Sequence, residues 1–105
     1  MTGKLIAKVE PLAFLRVSVP DHVLFMEVDG ETVMLHAEEG EYCGLDTFGS
    51  RVLELIQEFD GHLGKVVDAM VAELKVSREQ LCADLRAFIA TLEQNRLIRL
   101  YQTHP

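Results

Sequence analysis

Two runs rich in β-formers, HVLFMEV and ETVMLHA, meet at the dipeptide Asp29-Gly30. That junction constrains the chain more than any other feature. Asp-Gly favours the type I′ turn, whose twist suits a two-residue hairpin. The two runs are therefore expected to form antiparallel strands over residues 22–28 and 31–37. Glu38-Glu39-Gly40 makes a second turn, and EYCGL, residues 41–45, supplies a third and shorter strand. The result is a meander with the second run at its centre and the other two at its edges.

The hydrophobic period then changes from two to about 3.6. Asp46 or Thr47 is placed to cap a helix. Beyond it Phe48, Val52, Leu55, Ile56 and Phe59 fall on one face, and Asp60-Gly61 ends the segment. A second helix carries Leu63, Val66, Val67, Met70, Val71 and Leu74. Ser77 with Gln80 reads as a capping box for a third helix, with Leu81, Leu85, Phe88 and Leu92 at a 4-3-4 spacing. Asn95 is a stop signal, and LIRLY either returns as a strand or trails as a tail. A sheet this small must bury one face on the helices. The expected class is α+β, a three-stranded antiparallel meander followed by three helices. Residues 1–20, in which Pro11 and Pro20 bracket LAFLRVSV, are left as an N-terminal arm or an extra edge strand. The main domain spans residues 21–101, with a tail at 102–105.

Ten Lys/Arg against seventeen Asp/Glu leave a formal net charge of −7. That balance disfavours nucleic acid, whose affinity comes mostly from cations on phosphates. A helix-rich fold with a small sheet also raises a winged-helix DNA reader. The third helix, however, sets Arg78, Arg86 and Arg96 against Glu79, Asp84 and Glu93, so it is neutral. Between Glu27 and Asp46 stand seven acids (Glu27, Asp29, Glu31, Glu38, Glu39, Glu41, Asp46) and no Lys or Arg. Such a run is either a solvated face or a field that steers a basic extended segment toward a strand edge. No apolar run approaches a membrane span, and MTGKLIAKVEPL lacks the apolar core of a secretory signal. With only Cys43 and Cys82, a reducing compartment is expected, and the cytoplasm fits it.

Catalytic and metal motifs are missing from the chain. His22, His36, His62 and His104 form no H-E-x-x-H, and the cysteines form no C-x-x-C. Neither a GxGxxG nor a GK[ST] phosphate loop is present. Cys82 reads as a small buried apolar residue. Cys43 is either core-facing or a groove contact. Gly44 either relieves crowding or lets another backbone approach closely. No cofactor is implied, and the chain is not read as an enzyme.

The run ETVMLHAEEGEYCGLDTFGSRVLELI resembles PqqD-like domains, the recognition elements of ribosomally made peptide natural products. Their pattern places an aliphatic strand before G-x-Y-x-x-L-[ND], two further residues, a Gly and an apolar helix. Gly40, Tyr42, Leu45, Asp46 and Gly49 match it in order, and V-S-x-E-x-L-x-x-D-L-x-x-F follows from Val76 to Phe88. Two positions depart from the pattern. Leu53 stands where the family often has Trp, and Asn95-Arg96 where it often has Gly.

The resemblance implies a winged helix-turn-helix that binds the leader of a precursor peptide as a strand added to the third strand's edge. Side chains of that leader would be set against the third helix. Carried onto this sequence, the peptide-binding positions are Glu41, Tyr42, Cys43, Gly44 and Leu45 on the strand. On the helix they are Leu81, Asp84, Leu85 and Phe88. The G-x-Y-x-x-L-D form is most similar to free-standing proteins of lasso-peptide biosynthesis, which present a precursor to a leader peptidase or modifying enzyme. A pyrroloquinoline-quinone-type chaperone for a radical enzyme is the alternative. An open strand edge also permits a homodimer.

Overall fold

The computed structural model describes residues 11–103. A 3₁₀ turn, Leu12–Phe14, leads into β1 (Leu15–Ser18). The meander follows as β2 (Val23–Val28), β3 (Glu31–His36) and β4 (Tyr42–Leu45). Three helices come next, α1 (Thr47–Glu58), α2 (Leu63–Leu74) and α3 (Arg78–Gln94), and then β5 (Arg99–Gln102). The three antiparallel strands run in the order β2-β3-β4, as expected for the α+β arrangement.

Asp29 and Gly30 both have positive φ, at 53° and 81°, as a type I′ turn requires. That turn fixes the register, with Val28 opposite Glu31 and Val23 opposite His36. Val23, Met34, His36 and Leu45 point inward and are buried. Leu24, Met26, Val28 and Tyr42 lie on the opposite face and stay exposed.

The segment before Pro20 pairs away from the meander. β1 joins β5 in a separate two-stranded antiparallel sheet, with Val17 opposite Leu100. Leu12, Leu15 and Val17 are buried in the same core as the helices. The first ten residues lie outside the described part of the chain, as do the last two.

Asp46 is the cap of α1, and its Oδ1 accepts the Gly49 amide at 2.8 Å. Ser77 caps α3 by accepting the Gln80 amide at 3.1 Å. Only half of the expected capping box forms. The Gln80 side chain donates instead to Asp84, one turn on, at 3.0 Å. Arg51 of α1 holds Glu73 of α2 through both Nε and Nη2. Hydrogen bonding to that guanidinium keeps the Glu73 carboxyl below its ordinary range.

The buried face of α3 differs from the 4-3-4 line expected from sequence. Leu81, Leu85, Ile89 and Leu92 are buried, while Phe88 sits beside that line and is half-exposed. Ile89 and Phe88 are adjacent apolar residues, and either completes a helical stripe. Packing selects Ile89.

Gly61 joins α1 and α2 at φ 85°. A β-carbon there would run into the Val17 carbonyl, and the Val17 amide donates to the Gly61 carbonyl at 2.8 Å. Gly61→Ala is therefore expected to destabilise the domain by about 1–3 kcal/mol. A fall in the urea unfolding midpoint checks it, and an unchanged midpoint contradicts it.

Candidate functional site

Two hydrogen bonds decide which side of β4 is open. The His36 amide donates to the Glu41 carbonyl at 2.7 Å, and the Ala37 amide to the His22 carbonyl at 2.8 Å. Backbone groups of successive strand residues point to opposite sides. Even-numbered residues of β3 thus bond to β4, and odd-numbered ones to β2. Cys43 opposes Met34 and Leu45 opposes Thr32, so both are committed to β3. Tyr42 and Gly44 turn their N–H and C=O groups outward. Among the described residues β4 is an edge strand, and these two residues carry the backbone groups that no neighbouring strand pairs.

The side chains obey the same alternation. Leu45 is buried, and Cys43 is half-buried against the core. Tyr42 is 67% exposed, and Gly44 is open to solvent. A β-carbon added at Gly44 would meet nothing within 4 Å, and Gly44 does not have positive φ. Neither crowding nor backbone conformation within the described chain demands a glycine there. Of the two sequence readings of Gly44, the first loses its basis.

α3 runs alongside β4 in the opposite sense. At one end Phe88 meets the start of α1. A β-carbon on Gly49 would lie 3.0 Å from its ring, and Phe48 stacks edge-on to it at 6.1 Å. At the other end Arg96, just past α3, reaches Glu41 at 3.4 Å and Glu39 at 2.7 Å.

The helix residues proposed from the sequence divide between two stripes. Leu81 and Leu85 are 1% and 0% exposed and belong to the core. Asp84 is exposed and accepts from Gln80, and Phe88 is half-buried against the start of α1. Asp84, Phe88, Thr91 and Asn95 repeat the 4-3-4 spacing on the less buried side of α3. The sequence-based set of contacts did not include Thr91, Asn95 or Arg96. Extending the helical period from Asp84 would have found the first two. Glu41, expected as an edge contact, is engaged by Arg96.

The turn between β3 and β4 is held from inside. The His36 ring is buried, and its Nδ1 accepts the amides of Glu38 at 3.3 Å and Glu39 at 3.1 Å. The His22 ring lies against it at 4.3 Å. This histidine shapes a turn. Among the described residues, no three His, Cys, Asp or Glu side chains gather as a metal site. No helix of the described chain is long and apolar enough to cross a membrane.

Residues 31–98 match the family model described as coenzyme PQQ synthesis protein D, PqqD. The chain belongs to the PqqD family. Among solved structures, this PqqD-family chain is similar to TbiB1 in complex with the TbiA(beta) leader peptide. The identity is 37%, the TM-score 0.68, and the match covers 77% of this chain and 93% of that one. No curated protein matches the chain. The PqqD-matched span contains β3, β4, all three helices and Arg96. It leaves out β1, β2 and β5.

Cys43 of this PqqD-like domain sits at the edge but is poorly set for reaction. Burial pushes its thiol up, and the nearby Asp46 carboxylate adds to the effect. Its Sγ lies 3.5 Å from the Gly44 carbonyl. Only the thiolate is nucleophilic, so iodoacetamide should alkylate Cys43 more slowly than free cysteine at about pH 8.5. The rate should keep rising above that pH. Labelling followed by mass spectrometry checks this, and alkylation as fast as free cysteine would contradict it.

Proposed function

We propose that this chain is a non-catalytic recognition protein. It binds the leader segment of a ribosomally synthesised precursor peptide as a strand added to β4. It then presents that peptide to a leader peptidase or modifying enzyme, in lasso-peptide biosynthesis. The observation that carries the reading is the outward-turned edge at Tyr42 and Gly44, with α3 running antiparallel to that strand. An added strand gains main-chain hydrogen bonds from such an edge, and the adjoining helix selects its side chains. Asp84 and Phe88 are the helix contacts this reading favours, with Thr91 and Asn95 completing the stripe. The likeness to TbiB1, solved with the TbiA(beta) leader peptide, supports a leader peptide as the ligand. The apolar outer face of the sheet, Leu24, Met26 and Val28 beside Tyr42, supports a further protein partner.

The family description favours a second reading, a peptide chaperone for pyrroloquinoline-quinone assembly. Titration with both kinds of synthetic leader separates the two. Micromolar binding is expected for the leader of a precursor encoded beside this protein. Failure of that leader to bind overturns the first reading.

Gly44→Pro tests the mode directly. Proline on an outward-facing edge position removes one donor and leaves the monomer's own ladder intact. An unpaired carbonyl on the docked peptide should weaken affinity about tenfold or more. Calorimetric titration beside an unchanged circular dichroism spectrum checks it, and unchanged affinity moves the site off this edge. If the acid run steers the peptide, affinity should also fall moderately with added salt. Salt-independent binding would leave those acids a solubility role alone.

A further inference from the structure

α3 ends in a Schellman turn. The Leu97 amide donates to the Leu92 carbonyl at 2.9 Å, and the Arg96 amide to the Glu93 carbonyl at 3.1 Å. Arg96 stands at the left-handed position of that turn, with φ 60°. Glycine is the usual occupant, because it adopts this conformation without a β-carbon clash. Whatever arginine adds over glycine here must come from its side chain.

That side chain leaves its own element. Its Nη2 lies 2.7 Å from Glu39 Oε1, and its Nε lies 3.4 Å from Glu41 Oε1. The two glutamates flank Gly40, which has φ 77° in the turn before β4. Their backbone is already fixed to β3. The Glu39 amide is held by His36 Nδ1, and the Glu41 carbonyl accepts the His36 amide. The guanidinium therefore grips a rigid turn rather than two loose side chains on a mobile loop.

Exposed ion pairs add little stability, and a left-handed arginine costs some. The two effects largely offset each other. Net stability thus gives no reason to prefer arginine to glycine, whereas geometry does. Phe88 against Gly49 fastens α3 to the first turn of α1, just beyond the far end of β4. At the opposite end of the helix, Arg96 supplies ion pairs to the turn that leads into that strand.

We propose that Arg96 is a positioning residue for leader recognition. By bridging the end of α3 to Glu39 and Glu41, it sets the width of the groove and closes one end. This inference rests on the reading of β4 as the leader site. Arg96 need not touch the peptide. Its contribution is to hold the two walls at the spacing an added strand requires, so that the peptide does not have to order them on binding.

The test measures binding and thermal stability together on Arg96→Gly, Arg96→Lys and Glu39→Gln. The probes are the TbiA(beta) leader peptide and a synthetic leader from the precursor encoded beside this protein. Arg96→Gly should melt at or above the wild-type temperature, yet bind about three- to tenfold more weakly at low salt. Arg96→Lys, which keeps the charge but loses the fork, should fall between them. Glu39→Gln lies on the turn and off the proposed peptide edge, and should show a loss like that of Arg96→Gly. The double variant should be no worse than either single one. A merely structural role would lower stability and affinity together. Wild-type affinity in Arg96→Gly, or losses that add in the double variant, would overturn the inference alone. Failure of wild-type protein to bind either leader would overturn the leader-binding reading and this inference with it.

Discussion

The hydrogen bond from the His36 amide to the Glu41 carbonyl sets the parity of the meander. Once it forms, Cys43 and Leu45 must face β3, and Tyr42 and Gly44 must present their backbone groups to solvent. The same parity sends Leu45 into the core and Tyr42 out of it. A slip of one residue would bury Tyr42 and Gly44 and expose Leu45, which the core cannot absorb. The open edge is therefore as strongly specified as the core. Burial of Met34 and Leu45 on one face thus fixes which backbone groups the edge presents.

α3 performs two tasks with two adjoining stripes. Leu81, Leu85, Ile89 and Leu92 bury one side, which fixes the helix against the rest of the domain. Asp84, Phe88, Thr91 and Asn95 lie a fraction of a turn away on the less buried side, where Phe88 meets Gly49 and Phe48. A helix rotated to bury Phe88 in place of Ile89 would swing that second stripe away from the strand. The choice between two neighbouring apolar residues thus controls both packing and the wall of the groove. Arg96 then converts the end of the helix into a fixed distance from the strand.

Most local signals in the sequence were legible because they act over a few residues. Asp29-Gly30 gave the hairpin, Asp46 and Ser77 gave the caps, and the change of period gave the order of strands and helices. The PqqD-like resemblance was carried by Gly40, Tyr42, Leu45, Asp46 and Gly49, all within one such local unit. What stayed hidden depends on distance. The pairing of β1 with β5 joins residues more than eighty apart, and neither run alternates clearly enough to announce a partner. Phe88 and Ile89 cannot be ranked by period when both are apolar. Glu39 and Glu41 looked like solvated acids because their partner lies 55 residues beyond Glu41. Gly44 is the converse case. Its two sequence readings were equal until the structure showed empty space where a β-carbon would stand.

The acid run also divides once partners are known. Glu39 and Glu41 are tied to Arg96, and Asp46 caps α1, so these three already serve the domain. Glu27, Asp29, Glu31 and Glu38 are exposed and have no ion pair among the described residues. Glu31 opens β3 and borders the same hollow as Gly44 and Leu45, whereas Glu27 and Asp29 are displaced from β4 by the central strand. Charge placed there acts over a Debye length on an approaching peptide rather than in contact with a docked one. Such a field raises the rate of encounter more than it deepens the bound state. Affinity would then come from the backbone of Tyr42 and Gly44 and the wall of α3, and the acids would set how quickly that edge is found.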